Sequence, residues 1–450
     1  MKKNLALQLL CYCLALMPLL ILIRYVIRYG VDIPWIDQWV FVPLLEKFYQ
    51  GHVTFYDLWQ QHNEHRIFFP RIVFLVLARL THWNIRYELA ANVTTAIAIL
   101  MVVAYQVMKT ARAMGSRYLV WTVPLISLIV FTLAQYENWL WGWELQIFMN
   151  LLAVVAGIAL MTSRPFKWSR LAFSMLLGIV ATYSFANGII YWPLGLLLLM
   201  FAGPESRKSK VTALSVWAVV GFLTLISYLY RYHSSGDLLL IFRKPFAYIE
   251  YVLLYLGGPC AVSGSTSLAL LSGAMGLILA VIGIGLLLRR YEVRLHLLSP
   301  YIGLASYAVG SALLTGLGRI AIGSEQALAT RYIAISSLLW IANIVFLCML
   351  AERMGNKRWS SLPAAGILII AILTGLMSAT SVHIGETRHS DLAWVRVELV
   401  LLKDEDNVEA ERHYVGLVNE YPIMAQRRLG VLKKYHLSLY RTNTKFTDAL

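Results

Sequence analysis

Long uncharged, apolar runs recur along most of the chain, separated by short polar segments. An α-helix rises 1.5 Å per residue, so about 20 apolar residues cross a hydrocarbon core of about 30 Å. Lipid offers no hydrogen-bond partners, and each run must satisfy its own backbone groups as a helix. The runs are continuous and do not alternate, which argues against a barrel. The expected fold is therefore all-α, a polytopic membrane bundle of about eleven transmembrane helices. These are expected near residues 5–27, 87–108, 118–135, 146–162, 171–185, 189–201, 211–230, 268–288, 297–317, 328–350 and 362–381. The first run follows Met-Lys-Lys, exceeds a signal-peptide core in length and lacks a small-residue cleavage site, so it reads as a retained helix.

Charge tests this layout. With those spans, Lys109/Arg112/Arg117, Arg164/Lys167/Arg170, Arg207/Lys208/Lys210, Arg289/Arg290/Arg294 and Arg353/Lys357/Arg358 fall on one face with Lys2 and Lys3. The positive-inside bias makes that face, and the N-terminus, cytoplasmic. The expected location is a bacterial inner (plasma) membrane. Two further apolar pieces, 67–80 and 246–258, are too short to span and would invert the charge pattern. The first carries Arg71 and Arg79 among phenylalanines and suits a helix lying in the interface, as does 38–49.

The division that follows is a transmembrane helical domain over 1–382, whose first outer loop (31–86) holds interfacial helices. A small helical, extracytoplasmic C-terminal appendage occupies 383–450, with Pro422 opening its last helix.

Composition agrees: 59% of the 450 residues are hydrophobic and 14% charged, against about 25% charged in an ordinary soluble domain. The net charge of +15 sits in the clusters between spans, so it reports topology and anionic lipid, not nucleic acid. The cysteines at 11, 13, 260 and 348 build neither a disulfide framework nor a CxxC site.

Candidate chemistry crowds at the outer face. The first outer loop holds Asp32 and Asp37, then Asp57, then His62-Asn63-Glu64-His65-Arg66. Asp37 precedes an apolar run, where a cap and a catalytic base are compatible readings; Asp32 stands before the Ile33-Pro34 turn. His62, Glu64 and His65 do not have the HExxH spacing, so a divalent metal is possible but not favoured over substrate hydrogen bonding, and cofactors are left unassigned. Arg66 and Arg71 suit either substrate or lipid phosphate.

Late in the chain, Arg319 ends one span and Arg331 begins the next. Two guanidinium forks suit a phosphate or diphosphate, and helix-end snorkelling is the competing reading. Arg243 beside Lys244 is a third basic candidate. The loop 135–144, with Trp139, Trp141, Trp143, Glu137 and Glu144, reads as an interfacial tryptophan belt or as a surface that stacks on sugar rings.

This layout resembles the GT-C class of membrane glycosyltransferases, which use polyprenyl-phosphate-linked sugars as donors. The shared features are a cytoplasmic N-terminus, a long first outer loop with two interfacial helices, an acidic residue soon after the first span, many helices and an outer tail. The resemblance implies Asp37 first and Asp32 second as base or metal ligand, with His62, Glu64 and His65 beside them. It implies Arg319 or Arg331 on the donor phosphate, and the adjacent acidic pair of some members is absent here. The function it implies is transfer of a sugar from a polyprenyl phosphate to an envelope glycan, lipid or protein acceptor at the outer face, with Arg66, Arg243, Trp139 and Glu144 as further substrate-binding candidates. The partners are the lipid-linked sugar and membrane lipid. Competing classes are an O-antigen-type polymerase or ligase, whose arginines usually crowd a late loop, and a flippase, which usually places charges near the bilayer midplane. A non-catalytic scaffold of the envelope is the remaining reading.

Overall fold

The computed structural model describes residues 2–233, 240–261, 264–354, 361–401 and 422–441. Lys357 and Arg358 of the fifth basic cluster, and the tail segments 402–421 and 442–450, lie outside the described residues. The helices are α1 (Lys2–Tyr29), α2 (Asp37–Tyr49), α3 (Phe55–Trp59), α4 (Phe68–Thr81), α5 (Ile85–Met114), α6 (Thr122–Val130), α7 (Tyr136–Leu140), α8 (Leu145–Met161) and α9 (Trp168–Thr182). They continue as α10 (Tyr191–Ala202), α11 (Arg207–Leu229), α12 (Leu240–Arg243), α13 (Pro245–Gly257), α14 (Thr266–Arg289), α15 (Leu295–Arg319), α16 (Ile333–Met354), α17 (Ser361–Leu401) and α18 (Pro422–Lys434). No strand occurs among the described residues.

Nine of the described helical segments are long and apolar enough to cross a membrane, which supports an integral membrane protein of the all-α polytopic kind. The two expected spans at 171–185 and 189–201 correspond to shorter apolar helices, Trp168–Thr182 and Ala186–Ala202.

α16 is the axis of the bundle. It is apolar on every side and buried throughout its spanning window, as a helix must be when neighbours surround it. α1 and α14 are peripheral and turn residues such as Met17, Leu20, Leu271 and Val281 outward, where lipid is the solvent. Close approach of backbones, not hydrophobicity, holds helices together in lipid. α13 and α14 show it at Gly257 and Gly273, where an added Cβ would run into the backbone at Ala269 and Leu253 respectively. α13, too short to span by sequence, is thus seated against α14 and α15 with Tyr251, Leu254 and Tyr255 buried.

Basic connections gather at one end, as the charge pattern requires. Lys109 Nζ donates to Ser163 Oγ (2.9 Å) and Arg164 to the Gly203 carbonyl (3.0 Å). The opposite end carries a second, smaller core. It joins α2, α4 and the 141–145 turn to Val395, Leu399 and Leu429–Leu439 of the tail. α17 runs unbroken past residue 382 to Leu401, and Pro422 stands at the start of α18. Tyr435 stacks on Tyr49 (5.1 Å), which seats the tail on α2.

This second core buries one face of α2 and α4 in protein, while Val40 of α2 and Ile72, Val76 and Leu80 of α4 stay exposed. Phe41, Phe74 and Trp143 pack together in protein. Arg71 is buried and donates to the Leu58 and Gln60 carbonyls, so it does not anchor to lipid phosphates.

Candidate functional site

The residues that shape the site begin with a strained corner. Ile36 has φ 43°, a left-handed value that a β-branched side chain rarely adopts, and α2 starts immediately after it. Neighbouring bonds hold the corner. The Trp35 amide donates to Gln38 Oε1 (2.9 Å), Gln38 Nε2 donates to Glu88 Oε2 (2.6 Å), and Trp83 Nε1 donates to Glu88 Oε1 (2.9 Å). Gly142 passes so close to Glu88 and Gln38 that a Cβ there would overlap both. Ile36, not Asp37, occupies the N-cap position, and Asp37 is the first residue of α2. It lies at the positive end of α2, where a negative charge is favoured.

His62-Asn63-Glu64-His65 forms a tight turn in which His62 and His65 exchange backbone hydrogen bonds (2.8 and 2.9 Å), with Asn63 at φ 48°. Tyr228 Oη and Tyr232 Oη donate to the Glu64 carbonyl (2.9 and 3.3 Å) and fix its height. The turn sends its three side chains to different partners. His62 Nε2 lies 3.6 Å from Asp37 Oδ1, and the Glu64 carboxylate pairs with Arg319 Nη2 at 2.5 Å. His65 stacks on Phe185 (4.3 Å) and accepts the Ala186 amide at Nδ1 (3.2 Å).

That last bond fixes the tautomer of His65. An Nδ1 that accepts leaves the proton on Nε2, so the ring offers an N–H donor. The ring is half-buried against Phe185 and lines the cavity wall. Desolvation, aided by the charge of Arg319, pushes its pKa down to about 3. His65 is neutral at physiological pH.

These groups line one cavity of about 510 Å³. Among its walls are Asp37, His62, Glu64, His65, Glu144, Arg319 and Arg331, drawn from five separated stretches of sequence. Arg331 is held through its own turn. Its amide donates to Glu137 Oε2 (3.1 Å), its carbonyl accepts from Asn138 Nδ2 (3.1 Å), and its guanidinium lies 3.9 Å from Glu137. No family model matches the chain, and no curated protein and no solved structure matches it. What the cavity can do follows from its own groups.

Four expected site residues do not line it. Asp32 is buried and used by the fold: it accepts the Ile85 amide (2.9 Å) and Ser438 Oγ (3.3 Å) and pairs with Arg441 (2.6 Å). Arg66 is buried and donates to the Tyr228, Trp59 and Tyr230 carbonyls, tying the turn to α11. Trp139 is fully buried, stacked on Phe148 and bonded to the Thr132 carbonyl, so it is neither an interfacial belt nor a sugar platform. Arg243 ends α12, away from the cavity walls. Asp57 caps α3 with Thr54 and pairs with Lys47, and those hydrogen bonds hold its carboxyl down to about 2.

Sequence reasoning missed Gln146, Phe185, Tyr228, Tyr232 and Tyr332 in the walls. Each lies within or beside an apolar span, where an isolated polar or aromatic residue gives no signal. Among the described residues no group of three or more His, Cys, Asp or Glu is arranged to hold a metal ion.

The arrangement separates two kinds of chemistry. Arg319, Arg331 and the His65 Nε2–H are donors suited to an anion. Asp37 with His62 is an acceptor pair suited to taking a proton.

Proposed function

We propose that the protein is a membrane glycosyltransferase of the GT-C type. It moves a sugar from a polyprenyl-phosphate donor to a hydroxyl of an envelope acceptor at the outer face of a bacterial inner membrane. In this reading the two shorter apolar helices also cross, giving eleven spans, with the N-terminus cytoplasmic and the tail outside. The observation that carries it is the cavity in which Asp37–His62 and Arg319–Arg331 face a common space at the end of the bundle away from the basic connections.

Asp37 takes the proton from the acceptor hydroxyl as that oxygen bonds to the anomeric carbon. The bond from that carbon to the phosphate oxygen breaks, and the polyprenyl phosphate leaves with the electron pair. Positive charge develops on the sugar and negative charge on the leaving group, as in glycoside hydrolysis. Arg319 and Arg331 hold the departing phosphate, and His65 adds a neutral donor. His62 supports Asp37, because its Nε2 stands 3.6 Å from Asp37 Oδ1. Glu64 covers Arg319 until the phosphate takes its place.

The test is purified protein in detergent with a radiolabelled farnesyl-phosphate hexose and an envelope-lipid acceptor. Turnover that stops in Asp37→Asn while binding persists supports the enzyme. Saturable binding without turnover in the wild type points to a carrier or scaffold, and absence of binding removes the reading.

A further inference from the structure

The start of α8 and the two residues before it carry polar atoms that the fold does not use. Glu144 and Gln146 are 1% and 5% exposed, and both line the cavity. Among the described residues Glu144 Oε2 and Gln146 Oε1 have no hydrogen-bond partner, and neither has the Nε1–H of Trp143, which precedes Glu144. A buried polar atom left unpaired is costly, and the fold satisfies its other buried carboxylates in this region. Both oxygens of Glu88 accept an N–H, and Asp32 accepts from an amide, a hydroxyl and a guanidinium. Glu144 and Gln146 differ from these in facing a cavity.

We infer that Glu144 and Gln146 form a subsite for the sugar ring of the ligand, distinct from the arginines that meet its phosphate; this rests on the proposed lipid-linked-sugar reading. A carboxyl oxygen and a carboxamide oxygen are both acceptors. A ring bearing hydroxyls supplies the donors both need, and the Trp143 N–H offers a return donor to a ring oxygen. A polyprenyl tail supplies none and would leave all three atoms unpaired, so the tail lies elsewhere.

Binding isolates the sugar's share. Trp141 and Trp143 line the cavity, so quenching of tryptophan fluorescence reports occupancy by farnesyl phosphate and by a farnesyl-phosphate hexose. In the wild type the hexose is expected to tighten binding by about tenfold or more, since sites with buried polar groups discriminate strongly against ligands lacking the matching group. In Glu144→Gln and in Gln146→Leu that ratio falls below about threefold, while the Kd for farnesyl phosphate itself moves by less than about twofold. An unchanged ratio in either folded variant, or no gain from the hexose in the wild type, overturns the subsite and leaves the phosphate reading standing. Failure of the wild type to bind either lipid overturns the reading beneath both. Thermal unfolding in detergent identifies a variant that does not fold, and the second variant then decides.

Discussion

Arg319 at the end of α15 pairs with Glu64 in the turn between α3 and α4, 255 positions earlier in the chain. The contact joins a membrane helix to a surface turn and occupies a guanidinium that faces the cavity. An anionic ligand at Arg319 must displace the carboxylate. Glu64→Gln is expected to tighten binding of farnesyl phosphate by about threefold, and Arg319→Lys to weaken it by about tenfold, because a point charge cannot form the bidentate fork. Titration of tryptophan fluorescence measures both. An Arg319→Lys variant with wild-type affinity removes Arg319 from the phosphate site.

Asp37→Asn keeps the shape of the side chain and removes its basicity. The expected loss of transfer rate is about 10² to 10⁴, the usual contribution of a general base. His62→Asn is expected to lose less, since His62 acts through Asp37. Turnover of a labelled lipid-linked sugar, with lipid binding measured in parallel, checks this. A wild-type rate in Asp37→Asn takes the residue out of the mechanism.

His65 makes stability depend on pH in a definite direction. Its folded pKa of about 3 lies below the ordinary 6.5, so the unfolded chain takes up the proton first as pH falls. Stability from this group is complete above pH 6.5 and declines as pH drops toward 3, by at most about 1.4 kcal/mol per pH unit. Asp57 does not interfere between pH 6.5 and 5, because its own window runs from 3.8 down to about 2. Thermal unfolding in detergent at pH 7 and pH 5 should show a larger acid loss for wild type than for His65→Gln. Equal losses would mean that His65 is protonated in the folded protein.

Asp32 and Arg441 act on the fold, not on the ligand. Arg441→Ala is expected to cost about 1–2 kcal/mol, since the arginine is partly in solvent while its partner is buried. Asp32→Ala costs more, because the Ile85 amide at the start of α5 also loses its acceptor. Both variants should bind farnesyl phosphate within about twofold of wild type when folded. A selective loss of binding at unchanged melting temperature would contradict this.

Much of the architecture was legible because lipid leaves few options: an apolar run of spanning length is a helix, and its basic flank marks a side. The gathering of Asp37, His62, Arg319 and Arg331 at one end follows from the same alternation, since each stands at the end of the bundle away from the basic connections. What each residue does was less legible. Asp32 and Asp37 look alike in sequence, five apart in a polar loop, yet one faces the cavity and the other bonds to Ser438 and Arg441, whose position no local pattern reveals. Arg66 and Arg319 look equally suited to phosphate. The difference is that carbonyls at the end of α11 use the fork of Arg66. Trp139 and Trp143 are four apart on a short turn, but only Trp143 reaches the cavity wall.

The seat of Tyr435 against Tyr49 has a consequence for biosynthesis. α2 is made early and α18 about 380 residues later, so the intervening helices are synthesised before the two rings can meet. Until then α2 lacks one of its packing partners. A chain that stops short of residue 422 would leave the face of α2 that carries Tyr49 uncovered.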